Sequence, residues 1–290
     1  MLVAFCHIRI KSDFRGVIIM SMSGVFKAEK KDGTIYYRSS VTYKNKHISL
    51  GSYNTELAAN RAYSRAKELL ESDIKYSELS SAEILDEFAR DKTIKFNKFI
   101  SIINFRDNNI YIKNPIYICK RFFMYFYSPD HVYTFDIEDL FYYASHKIAK
   151  RGSHLFVADY GMQINLMSRY GIHSHAVVGR DYIFKNNDPY DFRYANIEVI
   201  NKYIGVHKKE TKSGTKYKAV ILINGNFIIG TYSTEEEAAI AYNKACDLLK
   251  PIYPDRTFRT NIIDKLTPKD YARIYLTVDI SDKIRNLAKQ

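Results

Sequence analysis

The sequence predicts an α+β protein in which two small modules, each a three-stranded antiparallel sheet with one helix, flank a central α+β region. Three observations predict it. A stretch near the start of the 290-residue chain recurs near its end; each copy alternates turn residues with β-branched and aromatic runs; and each copy closes on an alanine-rich segment of helical period.

The repeat organises the chain. Residues 24–70, GVFKAEKKDGTIYYRSSVTYKNKHISLGSYNTELAANRAYSRAKELL, match residues 205–249, GVHKKETKSGTKYKAVILINGNFIIGTYSTEEEAAIAYNKACDLL. The offset is 181 at Gly24/Gly205 and Gly33/Gly214, 180 at Tyr37/Tyr217 and 179 from Gly51/Gly230 onward. Both slips fall at turns, where length changes are tolerated best. The first turn is marked by Asp32-Gly33 and Ser213-Gly214, the second by Lys44-Asn45-Lys46 and Asn224-Gly225-Asn226. Asn54-Thr55-Glu56 and Ser233-Thr234-Glu235 then supply a cap and early acid for a helix. Its apolar stripe is Ala59, Ala62, Tyr63, Ala66, Leu69 and Leu70, echoed by Ala238, Ala241, Tyr242, Ala245, Leu248 and Leu249. An alanine face lets a helix lie close against a sheet, which leaves the opposite sheet face free.

Between the copies, Ser80 to Lys92 has helix-start and helix-body features, and the aromatic, β-branched run NNIYIKNPIYICKRFFMYFY reads as one or two strands. Asp136, Glu138 and Asp139 precede Leu140-Phe141-Tyr142-Tyr143, where they complement a helix dipole. Leu266-Thr267-Pro268-Lys269 opens a helical pattern in the tail. The expected divisions are 1–75, first module; 76–134, connecting α/β segment; 135–200, central domain; 201–258, second module; and 259–290, tail.

Composition narrows the function. Hydrophobic residues are 46% and aromatics 14%, enough for packed cores and against a wholly disordered chain. Forty-four Lys and Arg against thirty-two Asp and Glu leave a net charge of +12, which suits a polyanion. No apolar run approaches the roughly 20 residues that span a bilayer. Arg9 and Lys11 follow the short N-terminal apolar run, the wrong order for a secretory signal, so an intracellular, cytoplasmic protein is expected. Cys6, Cys119 and Cys246 lie too far apart in sequence for a zinc knuckle or redox pair and read as buried free thiols.

Each copy resembles the plant APETALA2/ethylene-response-factor DNA-binding domain, also found in bacterial and phage homing endonucleases. The resemblance rests on Gly-Val near the start, an aromatic-x-Ala/Ser-x-Ile/Val second strand, Leu/Ile-Gly-x-Tyr, and a Thr-Glu-x-x-Ala-Ala-type helix. It covers about a third of the chain and implies that the free sheet face enters the major groove of duplex DNA. Strand alternation puts Arg38, Ser40, Thr42 and Lys44 on that face in the first copy, with His47 and Ser49 beside them and Lys27 and Lys30 for phosphates. In the second copy the outward set is His207, Lys209, Lys218, Val220, Leu222, Asn226 and Ile228. Its aliphatics suit either thymine methyls or a protein partner or self-association.

Residues 135–200 resemble the core of an HNH homing endonuclease. Asp191, Arg193, Asn196 and Ile197 stand at the signature's Asp, Arg, Asn and Leu positions, after Asp188-Pro189. The metal-binding Asp and general-base His align instead with Ile183 and Phe184, and Phe192 replaces an Asn. Metal-assisted hydrolysis needs a hard-metal ligand and a base, so the expectation is no catalysis, no metal and no cofactor. His146, His154, His173 and His175 read as surface or core residues. The combined expectation is a sequence-specific double-stranded DNA-binding protein, a transcriptional regulator or architectural factor derived from a homing endonuclease. An active HNH-type endonuclease and a protein-interaction scaffold stand as alternatives.

Overall fold

The structure is a computed structural model that describes residues 8–12 and 18–287, with side chains from Met22 onward. It is α+β, built from small antiparallel sheets and helices. The described residues form two units, those up to 148 with 190–193, and 149–189 with those from 194 onward.

In the first unit, β1 (Ile8–Ser12) pairs with β2 (Ile18–Met22). The first repeat copy follows as β3 (Val25–Glu29), β4 (Ile35–Tyr43) and β5 (Lys46–Tyr53), a sheet in that order, and α1 (Glu56–Glu71). Lys44 and Asn45 take positive φ, 43° and 62°, in the tight turn between β4 and β5. Thr55 caps α1, its hydroxyl accepting from the Ala58 N–H at 3.2 Å. Ala59, Ala62 and Ala66 are fully buried and bring α1 down onto Val41, Ile48 and Leu50.

The segment after α1 is part of the same core. α2 (Ser81–Arg90) opens with a capping box between Ser80 and Glu83, and α3 (Phe96–Asn108) lies against α1. Ile84, Phe88, Phe99, Ile102 and Phe126 join Val41 and Leu50 in one apolar cluster, so packing does not divide at residue 75. β6 (Ile116–Ile118), β7 (Phe122–Ser128) and β8 (His131–Asp136) make a further sheet. Residues 190–193 come beside it, with the Thr134 N–H donating to the Tyr190 carbonyl and the Phe192 N–H to the Thr134 carbonyl. A short helix, α4 (Leu140–Ser145), follows the acidic trio, preceded by a 3-10 turn at Ile137–Asp139.

In the second unit, which takes up the chain within β9 (Ile148–Arg151), that strand, β10 (His154–Asp159) and β11 (Met162–Asn165) form a meander, and β12 (Tyr182–Phe184) pairs with β13 (Ile197–Val199). The stretch 135–200 is therefore shared between the two units. The second copy is β14 (Val206–Thr211), β15 (Gly214–Leu222), β16 (Asn226–Tyr232) and α5 (Glu235–Leu249). α6 (Pro268–Thr277) starts where Thr267 and Pro268 predict, and with α7 (Asp282–Leu287) it covers α5. Ile263, Val278, Ile280 and Ile284 belong to the second module's core, so the tail completes that module.

The two copies agree in detail. β5 carries one extra residue, Leu50, where the register slips at Ser39/Ser40, and β16 carries Ile229 where it slips at Ala219/Val220. Both extra residues are fully buried; the bulge turns an additional side chain into the core. Gly24 and Gly205 take φ of +72° and +71°, and their carbonyls accept from the Ser40 and Val220 N–H groups at 3.1 and 2.7 Å. The first-turn acids repeat as well: Glu56 accepts from the Met22 N–H at 3.2 Å and Glu235 from the Lys202 N–H at 3.0 Å. Basic residues at one helix position fasten each helix to its own covering segment. Buried Arg65 pairs with Glu87 of α2 at 2.9 Å, and Lys244 donates to the Val278 carbonyl at 2.8 Å.

Candidate nucleic-acid interface

Register decides which side chains share the face away from the helix. In the first module the cross-strand rows are Ala28 with Tyr36; Phe26 with Arg38 and Ser52; Ser40 with Ser49; and Thr42 with His47. In the second they are Lys209 with Lys216; His207 with Lys218 and Thr231; Val220 with Ile228; and Leu222 with Asn226. Val41, Ile48 and Leu50 in one copy and Ala219, Ile221 and Ile229 in the other point to the helix and are buried.

Most of the expected residues lie on this face and reach solvent. Arg38, Thr42, His47, Ser49, Lys209, Leu222 and Asn226 are exposed, while His207, Lys218 and Val220 are half-buried. Arg38 is held in place: its Nε and Nη2 donate to the Tyr36 hydroxyl at 3.2 and 2.7 Å, and the guanidinium lies over that ring, 5.4 Å from its centroid. The pairing orients the fork while leaving its remaining N–H donors available.

Three placements differ from expectation. Ser40 is only 8% exposed, because it sits on the central strand between the Gly24 carbonyl and Ser49, where a short side chain is shaded by both neighbours. Lys27 pairs with Tyr37 on the helix side of the sheet, so although exposed it belongs to the other face. Lys44 lies in the turn, where its ammonium donates to Asn109 Oδ1 and sits 5.2 Å from the Tyr43 ring centroid. Lys30 is exposed in the first turn, where the Lys30 carbonyl accepts from the Gly33 N–H.

The face also carries residues that the sequence reading passed over. Phe26, 57% exposed, occupies the row of Arg38, and Tyr36 and Ser52 complete the surroundings of that arginine. The signal was available: carrying strand parity from Arg38 across to β3 selects Phe26 and Ala28, as the equivalents His207 and Lys209 already indicated.

His207 shows the electrostatics of the second face. Burial, then the nearby Arg180, with Lys218 and His173 adding and Asp181 opposing, hold its imidazole below the ordinary histidine value. Such a site is crowded with positive charge and resists another proton.

The region resembling a nuclease core has structural employment. Ile183 is half-buried and Phe184 buried on β12, opposite Glu198 and Ile197. Asp191, 3% exposed, accepts from Arg193 Nε and Nη2 at 2.8 and 2.6 Å in the first unit. Asn196 belongs to the second unit, where its Oδ1 accepts from the Asn186 N–H at 2.9 Å and holds the loop between β12 and β13. His146 stacks on Tyr142 with centroids 4.3 Å apart. Among the described residues no group of three or more His, Cys, Asp or Glu side chains is placed to hold a metal ion. Cys119 is half-buried and Cys246 buried; burial raises their thiols to about 11 and about 12, which keeps both protonated at neutral pH. Cys6 lies outside the described residues. No described helix is long and apolar enough to cross a membrane.

Comparison with protein-family models, with curated proteins and with solved structures returned no match.

Proposed function

We propose that the chain is a sequence-specific double-stranded DNA-binding protein, a cytoplasmic, nucleoid-associated regulator or architectural factor derived from a phage or mobile-element homing endonuclease. The observation that carries the reading is the repeated module whose sheet keeps one face off its helix and arms that face with directed polar and basic groups. In the first module Arg38, braced by Tyr36, stands with Thr42, His47, Ser49 and Ser52. Arginine presented in this way matches the paired acceptors on the major-groove edge of guanine, and the hydroxyls and imidazole suit base edges or phosphates. The second module offers Lys209, Lys216, Lys218 and Asn226, and the net charge of +12 favours a polyanion overall.

The two modules take different parts. Polar groups fill the far rows of the first face, whereas the second has Val220, Ile228 and Leu222 there, with Leu222 66% and Ile228 50% exposed. The first module reads sequence and the second contributes mainly phosphate contacts; its aliphatic rows also support a second reading, contact with a protein partner or another copy of the chain. Strand cleavage is outside the proposed activity, since Ile183 and Phe184 offer neither a metal ligand nor a base. Selection of bound fragments from a random duplex pool tests the reading: a recurrent motif is expected, and a pool that stays random would refute sequence-specific binding. Incubation with supercoiled plasmid and Mg²⁺ or Mn²⁺ tests the catalytic part, where nicking abolished by EDTA would overturn it.

A further inference from the structure

One end of the second module's sheet face is walled. His173, Ser174, His175 and Arg180 from one loop and residues 256–259 from another stand beside Val220, Leu222 and Asn226 and line an open cleft of about 670 Å³. That volume falls within the roughly 300–1,000 Å³ of small-molecule sites. The cleft lies wholly in the second unit.

Its lining is one-sided in charge. Arg180, Arg256 and Arg259 contribute to it together with three histidines, and among the described residues no carboxylate does. Arg180 is neutralised from behind by buried Asp181 at 2.7 Å. Arg256 and Arg259 are oriented by neutral acceptors instead. Arg256 Nη1 donates to the Leu222 carbonyl at 3.3 Å, and Arg259 Nη1 donates to the Ser174 hydroxyl at 2.8 Å. Each bond uses one of five guanidinium N–H donors, and among the described residues no carboxylate pairs with either of these exposed guanidinium groups. Two arginines positioned in this way are suited to a phosphate group. The remaining wall is apolar at Val220 and Leu222, with Phe258 also lining the cleft, and Asn226 supplies an amide able to pair with the donor and acceptor of a base edge.

We infer that this cleft binds a nucleoside phosphate, with the phosphate against Arg256 and Arg259 and the nucleoside against Val220, Leu222 and Asn226. The same chemistry is available from a free nucleotide and from the sugar-phosphate backbone of DNA, and titration with a free nucleotide separates the two. The inference does not depend on duplex binding by the first module.

Calorimetric titration of the full chain with 5′-AMP, adenosine and inorganic phosphate tests it, alongside duplex binding by fluorescence anisotropy. The expected result is AMP binding with Kd below about 1 mM, with adenosine and phosphate each at least about tenfold weaker. The double variant R256Q/R259Q should lose AMP affinity by about tenfold or more, and L222D should lose affinity without altering the circular dichroism spectrum. Absence of AMP binding, phosphate binding as tightly as AMP, or an R256Q/R259Q protein that binds AMP like the wild type would each overturn the assignment. Loss of duplex affinity in R256Q/R259Q without any AMP binding by the wild type would make the cleft a backbone contact, refuting the nucleotide site while leaving the DNA reading intact.

Discussion

Replacing the paired glycines with alanine measures how tightly the repeated fold is specified. An alanine at Gly24 or Gly205 must hold a left-handed backbone, φ +72° or +71°, which costs an L-residue about 1–2 kcal/mol. It must also find room. The added Cβ at Gly24 would lie 2.0 Å from Cδ2 of Tyr63, and at Gly205 2.3 Å from Cε2 of Tyr242 and 2.5 Å from the Val220 carbonyl oxygen. Forced overpacking costs about 1–3 kcal/mol, so Gly24→Ala should lose about 2–4 kcal/mol. Gly205→Ala should lose more, about 3–5 kcal/mol, because a backbone carbonyl in a bulged strand and a buried Tyr242 ring can give least. Gly33 is the internal control. Its φ is +82° but the nearest atom to an added Cβ is 4.0 Å away, so Gly33→Ala should cost only the backbone part, about 1–2 kcal/mol. Urea unfolding followed by far-ultraviolet circular dichroism, with separate transitions allowed for two units, reads these differences. If Gly205→Ala cost no more than Gly33→Ala, the close approach of chain, helix tyrosine and bulge would be wrong.

Further perturbations test the site and its support. Tyr36→Phe removes the acceptor that orients Arg38; because the lost bond joins two solvent-accessible groups, it should change stability by less than about 0.5 kcal/mol while weakening duplex binding, and unchanged binding would show that the brace is irrelevant. Arg38→Ala should reduce discrimination between a selected and a scrambled duplex by about 1–3 kcal/mol; equal losses on both would make Arg38 a phosphate contact only. Arg65→Ala leaves Glu87 with only the exposed Arg90 as partner and should destabilise the first unit by about 1.5–3 kcal/mol in urea unfolding, against about 1 kcal/mol for Lys244→Ala, whose solvent-accessible ammonium gives up bonds to backbone carbonyls. His207, held below its ordinary value, binds fewer protons folded than unfolded, so stability of the second unit should fall as pH drops below about 6.5, and His207→Gln should flatten that dependence. An NMR titration midpoint at or above the free-histidine value would contradict it.

Much of this was legible because two copies check one another. The turn residues, the helix caps at Thr55 and Thr234 and the alanines of both stripes rest on local chemistry and appear in the structure as read, whereas Leu248, expected in the second stripe, is 39% exposed. What failed was tertiary. Ser40 keeps the expected parity, yet its shortness on a central strand leaves it shaded, which alternation alone does not report. Lys27 looked like a phosphate contact by charge, while the register pairs it with Tyr37 on the helix side and gives the open face to Phe26 beside Arg38. α3 was missed because residues such as Phe99, Ser101, Ile102, Ile103 and Asn104 bury it on several sides, which erases the amphipathic stripe. The cleft beside the second sheet joins residues far apart in sequence and outside the repeat, so no spacing announces it. The nuclease-like signature illustrates the converse: Asp191, Arg193 and Asn196 are adjacent in sequence but serve two different packing units.

The salt dependence of duplex affinity, measured for the wild type and for variants of the open faces, tests the central claim most directly. If about four phosphates are contacted by groups such as Lys30, Lys209, Lys216 and Lys218, log K should fall with log salt at a slope near −3.6. The variant K209Q/K216Q/K218Q should bring the slope to about −0.9, since each lost phosphate contact removes about 0.9. A matched neutralisation of Lys67, Lys75 and Lys92, which lie off the sheet face, should leave it near −3.6. A flat salt response, or equal slopes for the face variant and the control, would contradict the assignment of these sheets as the DNA-binding surface.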